Sequence, residues 1–246
     1  MPWLQQSHKI DPPFSTLRAC RALASRGITR FDRHMRITKF EHATVTISEG
    51  QARIVIDPGG FLESLTDWKH ITAVVVTHVH ADHCSPAHLQ RISERNPGVP
   101  IFAPASVATT VPGVNVVAVT AGDVITVDGV TLEFFGGTHA VIHESIPVID
   151  NVGVLVNDEF YYPGDSYALP GDKPITVLAA PVCAPWLKIG EAMDFVLDVA
   201  PQYCFGTHDF ALSAVAHDMH HARLAWATEQ GGGQYLVLAP GESIDL

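Results

Sequence analysis

The stretch Thr77-His78-Val79-His80-Ala81-Asp82-His83 holds three histidines and one aspartate within six positions. Imidazole and carboxylate together ligate zinc, iron or manganese. His78 and His80 are two apart, so an extended backbone points both to one side. Asp82 and His83 follow as the chain turns away, within reach of a second point nearby. The spacing suits two adjacent metal ions better than one.

The element that must present these groups lies directly before them. Ala73-Val74-Val75-Val76 is an apolar, largely β-branched run and reads as a buried strand feeding a loop. Such a loop is where a rigid scaffold displays reactive side chains. The other histidine-bearing turns follow the same pattern. His139, and His143 four residues later, come after a strand from Val130 to Phe135 and the pair Gly136-Gly137. His208 follows the strand Tyr203-Cys204-Phe205, and Asp165 sits in Gly164-Asp165-Ser166 after Tyr161-Tyr162-Pro163. His217 and His221 are four apart on a helix expected from Leu212 to Gln230, and read as a solvated face.

The H-x-H-x-D-H stretch resembles the signature of the metallo-β-lactamase superfamily. The resemblance covers residues 35–246 and includes G-x-H-A-x-I-H at 137–143, P-G-D-S at 163–166 and A-P-W-L-K at 184–188. These are similar to a hydrolase-like branch whose substrate is often unassigned. The resemblance implies an α/β fold, a four-layer αβ/βα sandwich with its site at one sheet edge. It implies that His78, His80 and His139 hold one metal, that Asp82, His83 and His208 hold the other, and that Asp165 bridges both. His139 fits the third-ligand position better than His143, which would face substrate as a catalytic candidate. Asp57, in Asp57-Pro58-Gly59-Gly60, would support the metal loop from behind.

The implied cofactors are two divalent ions, zinc first, with manganese or iron as alternatives. Two such ions about 3.5–4 Å apart share a hydroxide and lower the pKa of bound water to about 7. That chemistry predicts a hydrolase of a small ester, lactone, amide or phosphodiester, with Asp82 also orienting the nucleophile. Trp186 and Lys188 are pocket candidates, Lys188 as a point charge for a carboxylate. Two alternatives stay open: an iron-dependent oxidoreductase of the same fold, and a metal-stabilised binding module without turnover.

Composition bounds these readings. A chain of 246 residues, 47% hydrophobic and 17% charged, supports one sizeable domain with a real core. No apolar run approaches the ~20 residues of a membrane span, and the first residues lack a signal-peptide pattern. A soluble cytoplasmic protein is expected. Cys20, Cys84, Cys183 and Cys204 form no C-x-x-C pair, so a disulfide framework is not expected. The net charge of -11 argues against a nucleic-acid partner, which needs clustered Lys and Arg, and favours a small-molecule substrate. The oligomeric state is not legible.

Residues 1–34 carry Arg18, Arg21, Arg26, Arg30 and Arg33, with a short helix expected over Leu17 to Ala24. They are either an extension packed on the domain or a segment before a start at Met35. The domain then runs 35–246. A strand opens at Arg36, and a hairpin spans Ala43 to Ser48 and Gln51 to Asp57 around Glu49-Gly50. A short helix is expected over Phe61 to Thr66, and a helix capped by Ser85 with Pro86 in its first turn runs to about Arg95. A further helix spans Ile189 to Val199. Strands precede helices in two halves, expected at 36–165 and 166–246.

Overall fold

The computed structural model describes residues 34–246; the helix expected over Leu17 to Ala24 lies outside them. Two seven-stranded sheets pack face to face. The first contains β1 (Arg36–Lys39), β2 (Val45–Glu49), β3 (Ala52–Ile56), β4 (Ala73–Val75), β5 (Ile101–Ala103) and β6 (Val116–Ala118). The second is built from β7 (Val124–Val127), β8 (Val130–Thr138), β9 (Asp150–Val156), β10 (Phe160–Tyr162), β11 (Val177–Pro181), β12 (Tyr203–Thr207) and β13 (Gln234–Leu236). The last strand, β14 (Ser243–Asp245), returns to the first sheet and pairs antiparallel with β1.

The inner layer joins side chains from both sheets, including Ile37, Ile47, Ile54, Phe134, Val154, Phe160 and Phe205. Outside the first sheet, α1 (Pro86–Arg95) and α2 (Ala105–Thr110) cover Val55, Val74 and Ile101. Outside the second, α3 (Ile189–Val199) and α4 (Ala214–Gln230) cover Leu178, Ala180 and Cys204. The result is the expected four-layer αβ/βα sandwich. Strand β4 is buried at all three positions, which is why its sequence is a continuous apolar run and not an alternating one. No helix among the described residues is long and apolar enough to cross a membrane.

Two expectations about elements are corrected. The sheets divide between Ala118 and Val124, not near residue 165, and β14 crosses back. The three-residue β14 is too short to carry a periodic pattern. Residues 61–66 form turns and bends, not a helix. There Leu62 and Leu65 are buried, and the Glu41 carboxylate accepts from the amides of Glu63 and Ser64 and from the Ser64 hydroxyl. Those bonds substitute for the helical ladder.

The topology gathers the functional turns at one end. β3, β4 and β5 are parallel, as are β10, β11 and β12. Ligand-bearing loops of open α/β sheets collect at the carboxyl ends of such strands. Asp57 follows β3, His78 to His83 follow β4, Asp165 follows β10, Trp186 follows β11 and His208 follows β12. His139 directly follows the antiparallel β8.

Candidate metal centre

The loop after β4 is fixed from below by the Asp57 turn. Gly60 N–H donates to the Ala81 carbonyl at 2.7 Å, and Ser85 N–H to the Pro58 carbonyl at 3.2 Å. The contact is so close that a Cβ on Gly59 would lie 1.6 Å from the Asp82 carbonyl oxygen. Only glycine allows that approach. On the far side Gly164, at φ +64°, lets the Asp165 turn close on Thr77; a Cβ there would sit 2.8 Å from Thr77 Cβ.

Two clusters result. His78, His80, His139 and Asp165 form one, and Asp82, His83, His208 and His42 the other. All seven sequence-assigned positions are therefore brought together. The separations test whether metal ions fit. Four ligand atoms at 2.0–2.1 Å from a tetrahedral ion lie about 3.3 Å apart, and two imidazole centroids sharing that ion lie about 5 Å apart. His78 Nε2 and His80 Nδ1 are 3.1 Å apart. Asp165 Oδ2 is 3.3 Å from His139 Nε2 and 3.4 Å from His208 Nε2, and its Oδ1 is 3.2 Å from His83 Nε2. Asp82 Oδ2 is 3.2 Å from His208 Nε2. The ring centroids of His78, His80 and His139 are 4.7–4.9 Å apart, and those of His83 and His208 are 5.3 Å apart. His83 Nε2, His139 Nε2 and Asp165 Oδ1 are buried without a hydrogen-bond partner. Buried orphan atoms at coordination spacing are what two enclosed cations would satisfy.

A chain of hydrogen bonds sets the tautomers. Asp57 is fully buried; its Oδ1 accepts from Thr77 N–H at 2.7 Å. Its Oδ2 accepts from the Thr77 hydroxyl and from His83 Nδ1, each at 2.7 Å. The Thr77 hydroxyl has spent its one hydrogen on Asp57, so it accepts from His78 Nδ1 at 2.9 Å. One carboxylate thus leaves the Nε2 lone pairs of both His78 and His83 free for a cation. His139 Nδ1 donates to the Ala140 carbonyl at 2.5 Å, with the same consequence. Trp186 Nε1–H donates to Asp165 Oδ2 at 2.8 Å, and Asp165 N–H donates to Asn151 Oδ1 at 3.0 Å.

The electrostatics favour positive charge here. Burial alone would raise the Asp165 carboxyl, but the charge of His83 and the close approach of the His139 and His208 imidazoles hold it well below the carboxylate range. Asp82 is lowered too, against burial, by bonds from His208 and His42. Burial would lower the His208 imidazole, yet Asp165 and Asp82 raise it to about 9. A donor set that retains protons in this way is one that metal cations would occupy in their stead. Three non-glycine residues at the site, His42, Asp57 and His208, have left-handed backbones at φ 58°, 47° and 60°. Such conformations cluster at functional sites because the surroundings over-determine them.

Other sequence-assigned residues fall elsewhere. His143 is exposed, belongs to neither cluster, and its Nδ1 is engaged within its own turn by Ser145. Lys188 is 81% exposed, pairs with Glu191 three residues on, and is the residue that starts α3. The His217 and His221 face is not solvated as expected. His221 is buried at 3% exposure, bonds the Tyr235 hydroxyl at 2.7 Å and stacks on His217. Gly206 makes that packing possible, since a Cβ there would lie 2.6 Å from His221 Cε1. Asp209, His217 and His221 come within 4.8 Å of one another, but Lys39 Nζ sits 2.9 Å from Asp209 Oδ2 with its side chain 2% exposed. That ammonium already supplies the cation, so this group is buried polar packing behind His208.

Sequence reasoning missed His42, Thr77 and Asn151. No local signal marks them, because each acts on a residue distant in sequence or through a hydroxyl or amide of common type.

Fold and site together define a metal-dependent hydrolase of the metallo-β-lactamase type. A family model described as beta-lactamase superfamily domain matches residues 36–208, and the chain belongs to that family. It is similar to Protein Rv0786c of Mycobacterium tuberculosis (strain ATCC 25618 / H37Rv), 35% identical over 214 residues, covering 85% of this chain and 98% of that protein. In structure it is similar to Igni18, a metallo hydrolase from Ignicoccus hospitalis KIN4/I, with a TM-score of 0.68 at 19% identity, covering 87% and 98% of the two chains. It also resembles CmlA, a diiron beta-hydroxylase from Streptomyces venezuelae, with a TM-score of 0.67 at 13% identity, over 88% of this chain and 55% of that one.

Proposed function

We propose that the protein is a dinuclear hydrolase of a small ester, lactone, amide or phosphodiester. One observation carries the reading: the two oxygens of Asp165 face His139 and His83, one from each histidine set, at 3.3 and 3.2 Å. A structural metal site is closed and has no need of a carboxylate shared between two sets. His78, His80 and His139 would hold one ion, Asp82, His83 and His208 the other, and Asp165 both. When bound, two divalent ions, zinc first with manganese or iron as alternatives, supply Lewis acidity and a water of lowered pKa. Trp186 holds the Asp165 carboxylate between the two histidine sets through its 2.8 Å bond, where it would serve both ions. Asp82, with its side chain 26% exposed, is the assigned carboxylate open to solvent, and it can orient an incoming water.

The substrate follows from charge and from the rim. A cleft in a protein of net charge -11 repels a polyanion, whereas two cations attract one small group locally. Phe61 and Phe210 stack at 5.4 Å beside His42, and both are exposed, which gives the mouth an apolar shelf. A small molecule with an apolar flank suits that shelf, and the net charge is what disfavours RNA. The described cysteines are free thiols, in keeping with a cytoplasmic setting.

The test compares wild type with Asp165→Asn on small lactones, a small phosphodiester and a single-stranded RNA. Turnover of a small substrate that falls steeply in Asp165→Asn, with the fold retained, is expected. RNA cleavage with no turnover of either small substrate would overturn the reading. Iron in the purified protein together with oxygen-dependent chemistry would instead place it among oxidoreductases of this fold.

A further inference from the structure

His42 is drawn into the second cluster from a turn that carries no metal motif. The turn between β1 and β2 is fastened at several points. Phe40 N–H donates to the Thr44 carbonyl at 2.9 Å, the Thr44 hydroxyl to the Asp57 carbonyl at 2.7 Å, and Tyr162 to the Ala43 carbonyl at 2.8 Å. His208 N–H donates to the His42 carbonyl at 2.8 Å. The His42 ring is 2% exposed, packs edge-on to Phe61 at 5.0 Å, and reaches Asp82 Oδ2 with its Nε2 at 3.0 Å.

Ring geometry separates two roles for it. Histidines that share a tetrahedral ion keep centroids about 5 Å apart. His42 is 3.9 Å from His208 and 6.1 Å from His83, so it is too near one and too far from the other. It lies against His208 as a tilted neighbour, with the ring planes at 52°, and stands outside the ligand set. Asp82 is an ionised acceptor, so the proton of the 3.0 Å bond lies on His42 Nε2. That leaves His42 Nδ1 as a buried lone pair without a partner. A nitrogen donating to Asp82 has no lone pair left for a metal.

Asp82 is also the member of the second set that needs holding. Its side chain is 26% exposed, against 1% for His83 and 7% for His208. The oxygen that His42 binds is the one that faces His208 at 3.2 Å. We propose that His42 is a positioning residue that locks the Asp82 carboxylate onto the second metal position and thereby sets the affinity for that ion. The inference rests on the two-ion reading above. Restraint of a ligand by an outer hydrogen bond changes metal affinity by about 10–100-fold.

The experiment titrates metal-free protein with zinc against a chromophoric chelator, and repeats the titration with cobalt to read the visible bands of each site. Two variants separate position from scaffold. His42→Asn keeps a residue that tolerates φ near +58° but is too short to reach Asp82. His42→Gln puts an amide N–H near the place of Nε2. The expected result is a 10–100-fold weaker second ion in His42→Asn, with the first ion unchanged and the second cobalt band altered. His42→Gln should restore most of the loss. An unchanged second ion in His42→Asn overturns the proposal. So does equal loss of both ions with a lower melting temperature of the metal-free form and no rescue by Gln, which would assign His42 a scaffold role. Wild type that holds one ion overturns the two-ion reading and this inference with it.

Discussion

Asp57→Asn removes one buried charge and almost no volume. Asp57 has φ 47°, and asparagine adopts that left-handed conformation readily, so the turn itself should survive. The hydrogen bonds do not survive. Asp57 accepts three: from Thr77 N–H, from the Thr77 hydroxyl and from His83 Nδ1. An asparagine amide has one acceptor and one donor end. With its oxygen toward Thr77 N–H, its NH2 meets the His83 Nδ1–H; turned over, the NH2 meets Thr77 N–H. Either orientation opposes two donors in a fully buried place, at a cost of about 1–3 kcal/mol. The cheapest relief moves the His83 proton to Nε2, the atom that faces Asp165 at 3.2 Å, and so removes the lone pair that an ion would need. The bond from Thr77 to Asp57 also weakens, which loosens the orientation of His78 in the other set. Affinity for both ions should fall by about 10–100-fold, or about 1.4–2.7 kcal/mol each. Competition against a chromophoric chelator measures this directly, and circular dichroism checks the fold. Wild-type affinity for both ions in a folded Asp57→Asn protein would refute the tautomer argument.

Trp186→Phe keeps the aromatic bulk but deletes the donor to Asp165 Oδ2; turnover should fall by about tenfold or more while the metal-free melting temperature moves little, and a wild-type rate would count against it. Gly59→Ala forces a Cβ to 1.6 Å from the Asp82 carbonyl oxygen, so urea denaturation should register a loss of about 4 kcal/mol or more together with loss of metal; a stable, metal-bound variant would be contrary. Burial, helped by the charge of His217, lowers His221 to about 4 from 6.5. Its folded-state value is depressed, so the unfolded chain binds the extra proton and stability drops as pH falls from about 6.5 toward 4. That contribution amounts to about 2 kcal/mol between pH 7 and pH 5. His221→Gln should remove that part of the slope in urea titrations at the two pH values, and an unchanged slope would contradict the assignment.

Much of the site was legible because its candidate ligands lie next to features that sequence displays. Four of the seven positions, His78, His80, Asp82 and His83, sit in one loop after one buried apolar strand. His139, Asp165 and His208 each follow a strand with glycine close by. What sequence did not display is what the tertiary fold alone creates. His42 and Asp82 are 40 positions apart, and Trp186 and Asp165 are 21 apart, so no local pattern links them. Trp186 reads equally as core or pocket until its indole N–H is seen to bond Asp165. His221 reads as solvated because i, i+4 spacing defines a helix face but not what that face packs against. His143 was attractive because of its motif, yet its turn points it at Ser145. Among the elements, strands with buried runs and capped helices were readable, while β14 is three residues long and only its pairing with β1 makes it a strand.

Metal stoichiometry tests the central claim most directly. Purified wild type and His80→Ala, each equilibrated with excess zinc and then freed of unbound metal, are analysed by mass spectrometry of the intact holoprotein and by elemental analysis. Two ions per wild-type chain are predicted, with fewer in His80→Ala and a matching fall in melting temperature, because metal binding energy contributes to folding. One ion or none in the wild type, or a full wild-type complement in His80→Ala, would contradict the two-metal centre.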